Sequence, residues 1–545
     1  MSEFLSEEML EHHPYRGPIV LALFTAALFL PGLGTRDFWA PGEPIYGEII
    51  RVMYERNDWL VPMVNGQLYA DKPILYFWLA LIVSKIAGSV NEWTVRLPAA
   101  LGGLGLVLIT YQFGQTFYDR RTGFISGLVL ATSGRVLWES RFLRLDTVLA
   151  FFLFLGFYYF LKPFTKKASA NNYLLAYLCF ALATLTKGPI GFVLPGLAVL
   201  SFILLTGRWR DIREIRLVSG FIMVALVLAP WLLMLHLKGK DQWMSDFIWT
   251  HNIQNYALEP IGHVRPFYYY FINLPPDFLP WMLLVPGALL FCYPWKDKLR
   301  NPATLALVCW FATVFVFFSL SKSKIAYYLL PLLPSLALLV GYYLRVLVAD
   351  EDPQGMHWRW TSGFLYLLTC VLGLTGAALP VVVYKLEKGL LLWGLVSGAA
   401  LAAGSIAMFA FLRGRQLERF FVSLLVVLFA MSFTASAGVL PYLNKYKSPR
   451  PIGEAIRSPL LQNSPVYIFQ STMVDFNYYA RRERIPVLDS EDQLRNVTRS
   501  EGGTYLIIND KDLREAKFSM KSQIVSVHQV GEKKWYLLRL FKAGL

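Results

Sequence analysis

The sequence predicts a polytopic α-helical membrane protein with a soluble α/β domain at its C-terminal end. Hydrophobic residues make up 55% of its 545 residues and charged residues only 16%, a composition too apolar for a soluble globular protein. Apolar runs long enough to cross about 30 Å of hydrocarbon recur up to residue 440. Beyond residue 445 the apolar runs shorten to strand length and alternate with polar sequence.

The apolar runs define about thirteen candidate spans. They lie near residues 17–34, 93–115, 122–138, 144–162, 173–187, 189–206, 216–237, 277–294, 303–320, 325–349, 361–384, 389–412 and 419–440. With a cytoplasmic N-terminus, most inside loops are rich in Lys and Arg, as the positive-inside rule requires. The acidic N-terminal segment lacks the basic region and cleavage site of a signal peptide, so we expect the first span to remain as an anchor.

Two outer loops are much longer than the other connections, and we expect them to form the active site. They cover residues 35–92 and 238–276. In the first loop, amphipathic stretches around 43–57 and 73–87 predict helices that lie at the membrane interface.

The C-terminal region contains five short apolar runs, VYIFQS, IPVLD, TYLIIND, IVSVHQV and KWYLLRLF. Their lengths and turn-rich separations predict the strands of a small α/β domain. An odd number of spans places this region outside. We therefore divide the chain into a membrane domain over residues 1–440 and a periplasmic domain over residues 445–545, which we expect to act as a lid or recognition surface.

The four cysteines lie in apolar runs without CxxC or Cys/His spacing, which predicts neither a disulfide framework nor a thiolate metal site. The net charge of +15 would suggest a nucleic-acid partner in a soluble protein. In a membrane protein, topology explains the cations of the inside loops, and we expect no nucleic acid.

A set of cations on the outer side is not explained by topology. Its members are Arg51, Arg56, Lys72, Arg135, Arg141, Arg144, Lys187, Arg265, Lys322 and Lys324. Individually they could extend to the phosphates of bulk lipids. As a group they predict a site for an anionic headgroup, because Lys and Arg neutralise phosphate oxygens. Lys187, in the tight hairpin TLTKGPIGF, is the sharpest case.

Outer-side carboxylates provide the complementary half of a reaction site. Glu43 and Glu48 follow the first span, and Asp71 lies later in the same loop. Asp146 lies at the start of a span, where an ionisable group is costly and marks a functional candidate. The structural alternatives are an ion pair of Asp146 with a nearby cation and a self-paired turn at Asp71-Lys72.

A carboxylate beside a phosphate-binding cluster suits the transfer of a group from a lipid phosphate to a hydroxyl. The carboxylate takes the acceptor proton, and the cations stabilise the departing phosphate.

Histidines in the second long loop raise the possibility of a metal. His251 and His263, together with Asp71 or Glu43, could bind zinc or a similar divalent ion. The spacing is not specific, and surface or hydrogen-bonding histidines are the alternative. Further along the chain, SLSKSKIAYYLLPLLP places Tyr327 and Tyr328 beside two lysines, which favours phosphate contact over an ordinary aromatic belt.

Several motifs in order resemble the bacterial family of polyprenyl-phosphate-sugar glycosyltransferases of the GT-C fold, which includes lipid A aminoarabinose transferases and relatives of protein mannosyltransferases. The motifs are RDFWAPGEPIYGEIIRVM, NDWLVPMVNGQLYADKPILYFWL, VRLPAAL, RFLRLDTVLAFF, LTKGPIGFVLP, HNIQNY with GHVRPFYYYF, and SKSKIAYYLLPLLP. The resemblance covers roughly residues 20–345.

The resemblance implies roles for individual residues. The family's acidic-Lys-Pro element matches Asp71 and Lys72, its acid before the fourth span matches Asp146, its hairpin lysine matches Lys187, and its tyrosine near the tenth span matches Tyr328. The remaining candidates for binding the donor and its phosphate are Tyr46, Arg141, Arg144, Asn252, Arg265, Lys322 and Lys324.

The chain departs from the family at two places. An Asp-Glu pair of the first outer loop, whose Asp activates the acceptor, reads Gly42-Glu43 here. Glu43 could act in its place, Asp146 or Asp71 could carry the base, or activity could be reduced; we expect Glu43 together with Asp146. Where the aminoarabinose transferases have Glu-His, this chain has His251 followed by asparagine, which weakens the expectation of zinc and of aminoarabinose as the sugar.

These observations predict an inverting glycosyltransferase of the bacterial inner membrane. Its donor would be a sugar on an undecaprenyl-type phosphate, and its acceptor lipid A, lipopolysaccharide, another envelope glycan or protein. A protein O-mannosyltransferase-like enzyme, a flippase of lipid-linked sugars and an inactive accessory protein are the alternatives. A flippase would be expected to show inverted repeats or broken helices around a midplane site, whereas the ionisable residues here gather at one membrane face.

Overall fold

A computed structural model describes residues 15–165, 169, 171–247, 249–250, 264–292, 302–348, 356–471, 474–500, 503–515 and 521–541. The helices of its membrane region are α1 (Arg16–Phe29), α2 (Glu43–Arg56), α3 (Leu75–Ala87), α4 (Glu92–Phe117), α5 (Arg120–Ala131), α6 (Gly134–Glu139), α7 (Asp146–Thr165), α8 (Asn171–Lys187), α9 (Ile190–Thr206), α10 (Leu217–Leu237), α11 (Asp241–Ser245), α12 (Tyr269–Asp277), α13 (Val285–Cys292), α14 (Pro302–Leu320), α15 (Leu333–Val348), α16 (Met356–Leu386), α17 (Leu391–Arg413) and α18 (Leu417–Thr434).

Shorter elements complete the secondary structure. Single turns of 3-10 helix cover Trp209–Arg213, Trp281–Leu284, Ala326–Leu332 and Lys388–Leu390, and a π-helical turn covers Ala435–Val439. The C-terminal elements are α19 (Leu440–Tyr442), α20 (Asn444–Lys447), α21 (Arg450–Arg457), α22 (Asn477–Ala480), α23 (Glu491–Ser500) and α24 (Asp510–Glu515), with strands β3 (Val466–Phe469), β4 (Val487–Leu488), β5 (Tyr505–Asn509), β6 (Ser522–Val530) and β7 (Lys533–Leu540). A small hairpin of β1 (Met63–Val64) and β2 (Gln67–Leu68) lies between α2 and α3 in the chain.

Within the described residues, 8 helices are long and apolar enough to cross a membrane, or up to 9 if one bent pair forms a single span. Three shorter apolar helices, α1, α3 and α9, are additional. The predicted run 122–138 is instead divided between α5 and α6 at Ser133. Helix α12 ends where the predicted run from 277 begins, and it meets the helix over Trp281–Phe291 at an angle of 108°. Prolines at 275, 276 and 280 interrupt the backbone hydrogen bonds of this segment.

The chain forms two compact units. The first contains the chain up to Pro31, Ala70–Tyr76 and Pro98–Ser436; the second contains Gly32–Tyr69, Phe77–Leu97 and the chain from Ala437 onward.

Small residues let helices of the first unit approach closely. A Cβ atom added at Gly123 of α5 would lie 2.5 Å from the Tyr111 carbonyl oxygen of α4, and one added at Gly341 of α15 would lie 2.1 Å from the Ser126 hydroxyl. Close backbone approach through small side chains is a common way to pack helices in a membrane.

The second unit is built around a five-stranded sheet with the order β4-β3-β5-β7-β6. Strand β3 is parallel to β4 and β5, whereas β7 is antiparallel to β5 and β6. One face buries Ile468, Ile507 and Trp535, and alternate residues such as Phe469 and Leu506 are buried on the other. All five strands predicted from the sequence are confirmed, as are the two helices expected in the first outer loop.

Within the second unit, C-terminal residues hold the segment that precedes α2. Backbone amides of this segment donate to the Tyr479 hydroxyl, from Phe38 at 2.8 Å, and to the Asp475 carboxylate, from Gly42 at 3.4 Å. The Trp39 indole donates to Asn444 at 2.9 Å. The C-terminal region is therefore a structural support of the first outer loop.

Candidate active site

Glu43 begins α2, next to Gly42 and before Pro44, an arrangement that suits a helix N-terminus. Its carboxylate accepts hydrogen bonds from two guanidinium groups: Arg36 at 2.6 and 3.0 Å, and Arg96 at 2.9 and 3.0 Å. The Trp39 amide donates a further bond at 3.1 Å. Glu43 is only 1% exposed, and these donors occupy both of its oxygens.

The hypothesis that Glu43 is the acceptor base is not supported by this geometry. Burial alone would raise the pKa of its carboxyl, but Arg36 and Arg96 outweigh burial and hold that pKa well below the usual range. A general base needs an accessible oxygen and a pKa near the working pH. Glu43 instead ties together residues 33–43, because Arg96 also donates to the carbonyl oxygens of Leu33 and Arg36.

The first unit brings together several of the other predicted residues. Asp146 lies in the first turn of α7 and Lys187 in the last turn of α8, so each charge lies at the favourable end of a helix dipole. The Lys187 ammonium is 2.5 Å from Asp146. It also lies over the rings of Tyr328 and Tyr327, at 4.4 and 5.3 Å from their centroids.

Two further predicted cations belong to the same cluster. The Arg144 guanidinium lies 4.8 Å from the Tyr327 ring centroid, and its Nη1 is 3.5 Å from the Tyr327 hydroxyl. Lys72 pairs with Asp71 at 2.6 Å. Burial lowers the pKa of Lys72, but Asp71 and the Tyr328 and Tyr327 hydroxyls outweigh burial, so this pKa is raised and the ammonium stays charged. We call Lys72, Arg144, Lys187, Tyr327 and Tyr328 the cation cluster.

The two carboxylates at the cation cluster differ in access. Asp146 is 5% exposed, whereas the Asp71 side chain is 35% exposed. A hydroxyl arriving from water can therefore reach Asp71 more easily than Asp146.

Other predicted phosphate ligands have structural contacts instead. Arg141 donates to the carbonyl oxygens of Leu28 and Pro31, at 2.6 and 2.5 Å, and so binds the C-terminal end of α1. Lys324 is buried, and its ammonium donates to the carbonyl oxygens of Ser321 and Arg265. Burial lowers the pKa of Lys324. Arg141 and Lys324 thus both hold backbone carbonyls, and their contact with a donor phosphate stays a prediction.

The remaining predicted residues lie in varied surroundings. Lys322 and Arg265 are exposed, and their backbones are joined by a hydrogen bond of 3.5 Å. In the second unit, the ring centroid of Tyr46 lies 6.3 Å from that of Tyr69 and 6.0 Å from that of Phe77.

The predicted metal ligand His251 and the predicted donor contact Asn252 lie outside the described residues. In the parts of the chain that the structure describes, no three His, Cys, Asp or Glu side chains cluster in a way that could hold a metal ion. Asp71 pairs with a lysine there.

Sequence reasoning missed a second charged network in the first unit. Arg135 donates to Glu139 at 3.0 Å and to Asp277 at 2.5 Å, and both carboxylates are buried. The i,i+4 spacing of Arg135 and Glu139 was the available signal, but nothing in the sequence relates them to Asp277.

Comparisons with known proteins agree with this architecture. The family model of dolichyl-phosphate-mannose-protein mannosyltransferase matches residues 16–243. Undecaprenyl phosphate-alpha-4-amino-4-deoxy-L-arabinose arabinosyl transferase from Pseudomonas paraeruginosa is 30% identical over 393 residues, which are 71% of this chain and 70% of that protein. The protein of the same name from Aeromonas salmonicida is 30% identical over 363 residues, 66% of this chain and 65% of the relative.

The crystal structure of ArnT from Cupriavidus metallidurans bound to undecaprenyl phosphate has a TM-score of 0.77, with 21% identity, over 95% of this chain and 97% of that chain. The fold thus defines a multi-pass membrane protein of the GT-C type, as predicted. The chain belongs to the family of polyprenyl-phosphate-sugar glycosyltransferases that includes the arabinosyl transferases. It aligns with slightly less than two thirds of several relatives, 65% and 64% of their lengths.

Proposed function

We propose that this chain is an inverting glycosyltransferase. It moves a sugar from an undecaprenyl-type phosphate carrier to a periplasmic acceptor such as lipid A, lipopolysaccharide or another envelope glycan. The observation that carries the proposal is the cation cluster, which combines three cations with the carboxylates Asp71 and Asp146. The names of the relatives, which describe transfer from an undecaprenyl phosphate, support the same donor class.

The cation cluster suits a lipid-linked phosphate. Lys72, Arg144 and Lys187 neutralise its oxygens, and the charge that grows on the phosphate as the sugar leaves strengthens these contacts. Donor phosphate and Asp146 compete for Lys187, since the ammonium is paired with Asp146 at 2.5 Å. Asp146 therefore orients Lys187 before the donor arrives.

Asp71 is the proposed base. The acceptor hydroxyl gives its proton to the Asp71 carboxylate, and the acceptor oxygen bonds to the anomeric carbon on the face opposite the phosphate. The bond from that carbon to the phosphate oxygen breaks, and its electron pair leaves with the polyprenyl phosphate. The proposal replaces Glu43 and Asp146 as bases because Asp71 is the most exposed of the three carboxylates.

Purified full-length protein in liposomes, supplied with undecaprenyl-phosphate-linked sugar and lipopolysaccharide, tests the proposal by mass spectrometry of the acceptor. We expect Asp71→Asn to lower kcat by about 100-fold or more. We expect Lys187→Met mainly to raise KM for the donor. Glu418→Gln, in an ion pair with Arg121, is the matched control. An Asp71→Asn variant with the wild-type rate would refute the assigned base, and no transfer by wild type to any acceptor class would refute the function.

A polypeptide acceptor is the second candidate, because the mannosyltransferase family model matches residues 16–243. Lipid-linked mannose and a serine-rich peptide, in the same liposomes, discriminate the two. Glycosylated peptide in place of modified lipopolysaccharide would decide for the second candidate.

The proposal also covers the orientation of the chain in the membrane and its need for a metal ion. The N-terminus is cytoplasmic and the C-terminal region periplasmic, which alkaline phosphatase fusions after residue 440 and at the C-terminus would check. The divalent ion that the sequence predicts at Asp71 and His251 is an alternative to the role of Asp71 as base, and it stays a prediction. An unchanged rate of sugar transfer after chelation by EDTA would refute the predicted metal ion.

A further inference from the structure

The charged network of Arg135, Glu139 and Asp277, which the proposed chemistry does not use, lies where helix α6 meets the bent helix pair. Arg135 and Glu139 belong to α6, and Asp277 is the last residue of α12, just before the 108° bend. The Gly134 amide also donates to the Leu279 carbonyl oxygen, at 3.2 Å, so the start of α6 lies against the bend. Breaks in membrane helices often lie at binding sites.

Hydrogen bonds satisfy only part of this network. In the described part of the chain, Oε2 of Glu139, Oδ2 of Asp277 and Nε of Arg135 are buried without a hydrogen-bond partner. A buried carboxylate oxygen without a partner is costly, so such an atom in a native protein calls for an explanation.

The charge balance gives that explanation for Glu139. Two buried carboxylates share Arg135, and Oε2 of Glu139 faces a second cation, Nε of Arg144, at 3.9 Å. Burial raises the pKa of Glu139, while Arg144 and then Arg135 act in the opposite direction. Arg144 in turn reaches Tyr327 of the cation cluster.

We propose that Glu139 is a positioning residue that holds Arg144 in the cation cluster, and that Arg135 and Asp277 fix Glu139 to the bent helix α12. The inference rests on the proposed function in one respect, namely that the donor phosphate binds at Arg144. The other end of α12 is fixed as well, because the Tyr270 hydroxyl donates to the Ile325 carbonyl oxygen at 3.1 Å, two residues before Tyr327. Helix α12 is thus bonded to the Glu139 network at one end and to the segment that precedes Tyr327 at the other.

Removing the Glu139 charge should affect donor binding through Arg144. The arginine loses the carboxylate oxygen that it faces at 3.9 Å, its long side chain samples more rotamers, and the phosphate must then order it. Asp277→Asn should have a smaller effect because Asp277 acts on Arg144 only through Arg135 and then Glu139.

The test is the binding of undecaprenyl phosphate itself to the full-length protein in detergent, measured by tryptophan fluorescence without sugar or acceptor. We expect Glu139→Gln to weaken Kd by about 10-fold and Asp277→Asn by about 3-fold. In an Arg144→Ala background, Glu139→Gln should cause no further loss, because its effect passes through Arg144. Glu418→Gln should bind like wild type.

A Glu139→Gln variant that binds like wild type, or one whose effect multiplies with that of Arg144→Ala, would overturn the inference. If Glu139→Gln acted only by destabilising the fold, its loss of affinity would multiply with that of Arg144→Ala. The double variant therefore distinguishes a positioning role of Glu139 from a general effect on stability. Wild-type protein that fails to bind undecaprenyl phosphate would overturn both proposals. Binding without sugar transfer would overturn the proposed function alone and leave the role of Glu139 standing.

Discussion

Glu43 and Asp71 come from the same long loop of the sequence but differ in their surroundings. Glu43 is enclosed by Arg36 and Arg96, whereas the Asp71 side chain is 35% exposed and pairs with Lys72. The sequence left open an ion pair of Asp146 with a nearby cation and a self-paired turn at Asp71-Lys72, and the structure contains both pairs. The sequence could not show that Glu43 is enclosed, because its guanidinium partners come from positions 7 and 53 residues away.

Gly42 has a backbone φ of 110°, a conformation that L-residues rarely adopt. We therefore expect Gly42→Ala to lower the free energy of unfolding by about 1–3 kcal/mol. Gly42→Asp should be at least as destabilising and should not raise activity, contrary to a simple restoration of the family's acidic pair. Thermal unfolding in detergent measures this, with Gly363→Ala, a helical glycine with open space around its Cβ position, as control. A more active Gly42→Asp enzyme would contradict the expectation.

Asp475 is 1% exposed, and burial raises the pKa of its carboxyl to about 7, despite the hydrogen bond from Gly42. The folded state therefore binds the Asp475 proton more tightly than the unfolded state does. The resulting stabilisation of the fold is fully present below a pH of about 4 and is lost as the pH rises through 7. We expect Asp475→Asn to stabilise the protein by up to about 4 kcal/mol at pH 8 and little at pH 4.

Unfolding curves of Asp475→Asn and of wild type at the two pH values check the expectation. Asp492→Asn, at an exposed position of α23, should be neutral at both. A variant less stable than wild type at pH 8 would show that the charge of Asp475 is needed by the fold.

At the scale of elements, periodicity and composition were sufficient for the five strands and for α2 and α3, because each is a short run bounded by turn residues. They were insufficient where an apolar run contains a break. The run 122–138 is uniformly apolar enough for a span, yet the helix ends at Ala131 and restarts at Gly134. The bend after Asp277 likewise lies among the prolines at 275, 276 and 280, whose effect on the backbone is not part of a hydropathy profile.

The crossing of α4 and α5 should tolerate no side chain at Gly123. A Cβ atom there would lie 2.5 Å from the Tyr111 oxygen and 2.8 Å from the Gln115 nitrogen. We expect Gly123→Ala to cost about 1–3 kcal/mol through overpacking. Thermal unfolding compares it with Gly196→Ala, where nothing lies within 4 Å. Equal unfolding temperatures for the two variants would contradict this packing.

At the scale of the whole molecule, the second unit joins the first outer loop and the C-terminal region. Sequence predicted the C-terminal α/β domain but assigned it a lid or recognition role. The contacts that make it a support are single side chains, such as Tyr479 and Asn444, separated from their partners by 441 and 405 residues. No local pattern encodes such pairs.

Tyr479→Phe tests this support. The Tyr479 hydroxyl accepts from the Phe38 amide and donates to Glu92, both at 2.8 Å, so its loss should cost about 1–3 kcal/mol. Hydrogen exchange should become faster at the Phe38 amide. Tyr505→Phe, in β5 of the same unit, is the control. Unchanged exchange at Phe38 would argue against the support.

The discontinuous make-up of the second unit has a consequence for biogenesis. Gly32–Tyr69 leave the ribosome early, but their packing partners from Ala437 onward are synthesised only after the intervening 360 or so residues. The early segment therefore lacks its packing partners while every later helix of the first unit is synthesised. We expect protease to cut that segment more readily in a nascent chain arrested before Ala437 than in the completed chain.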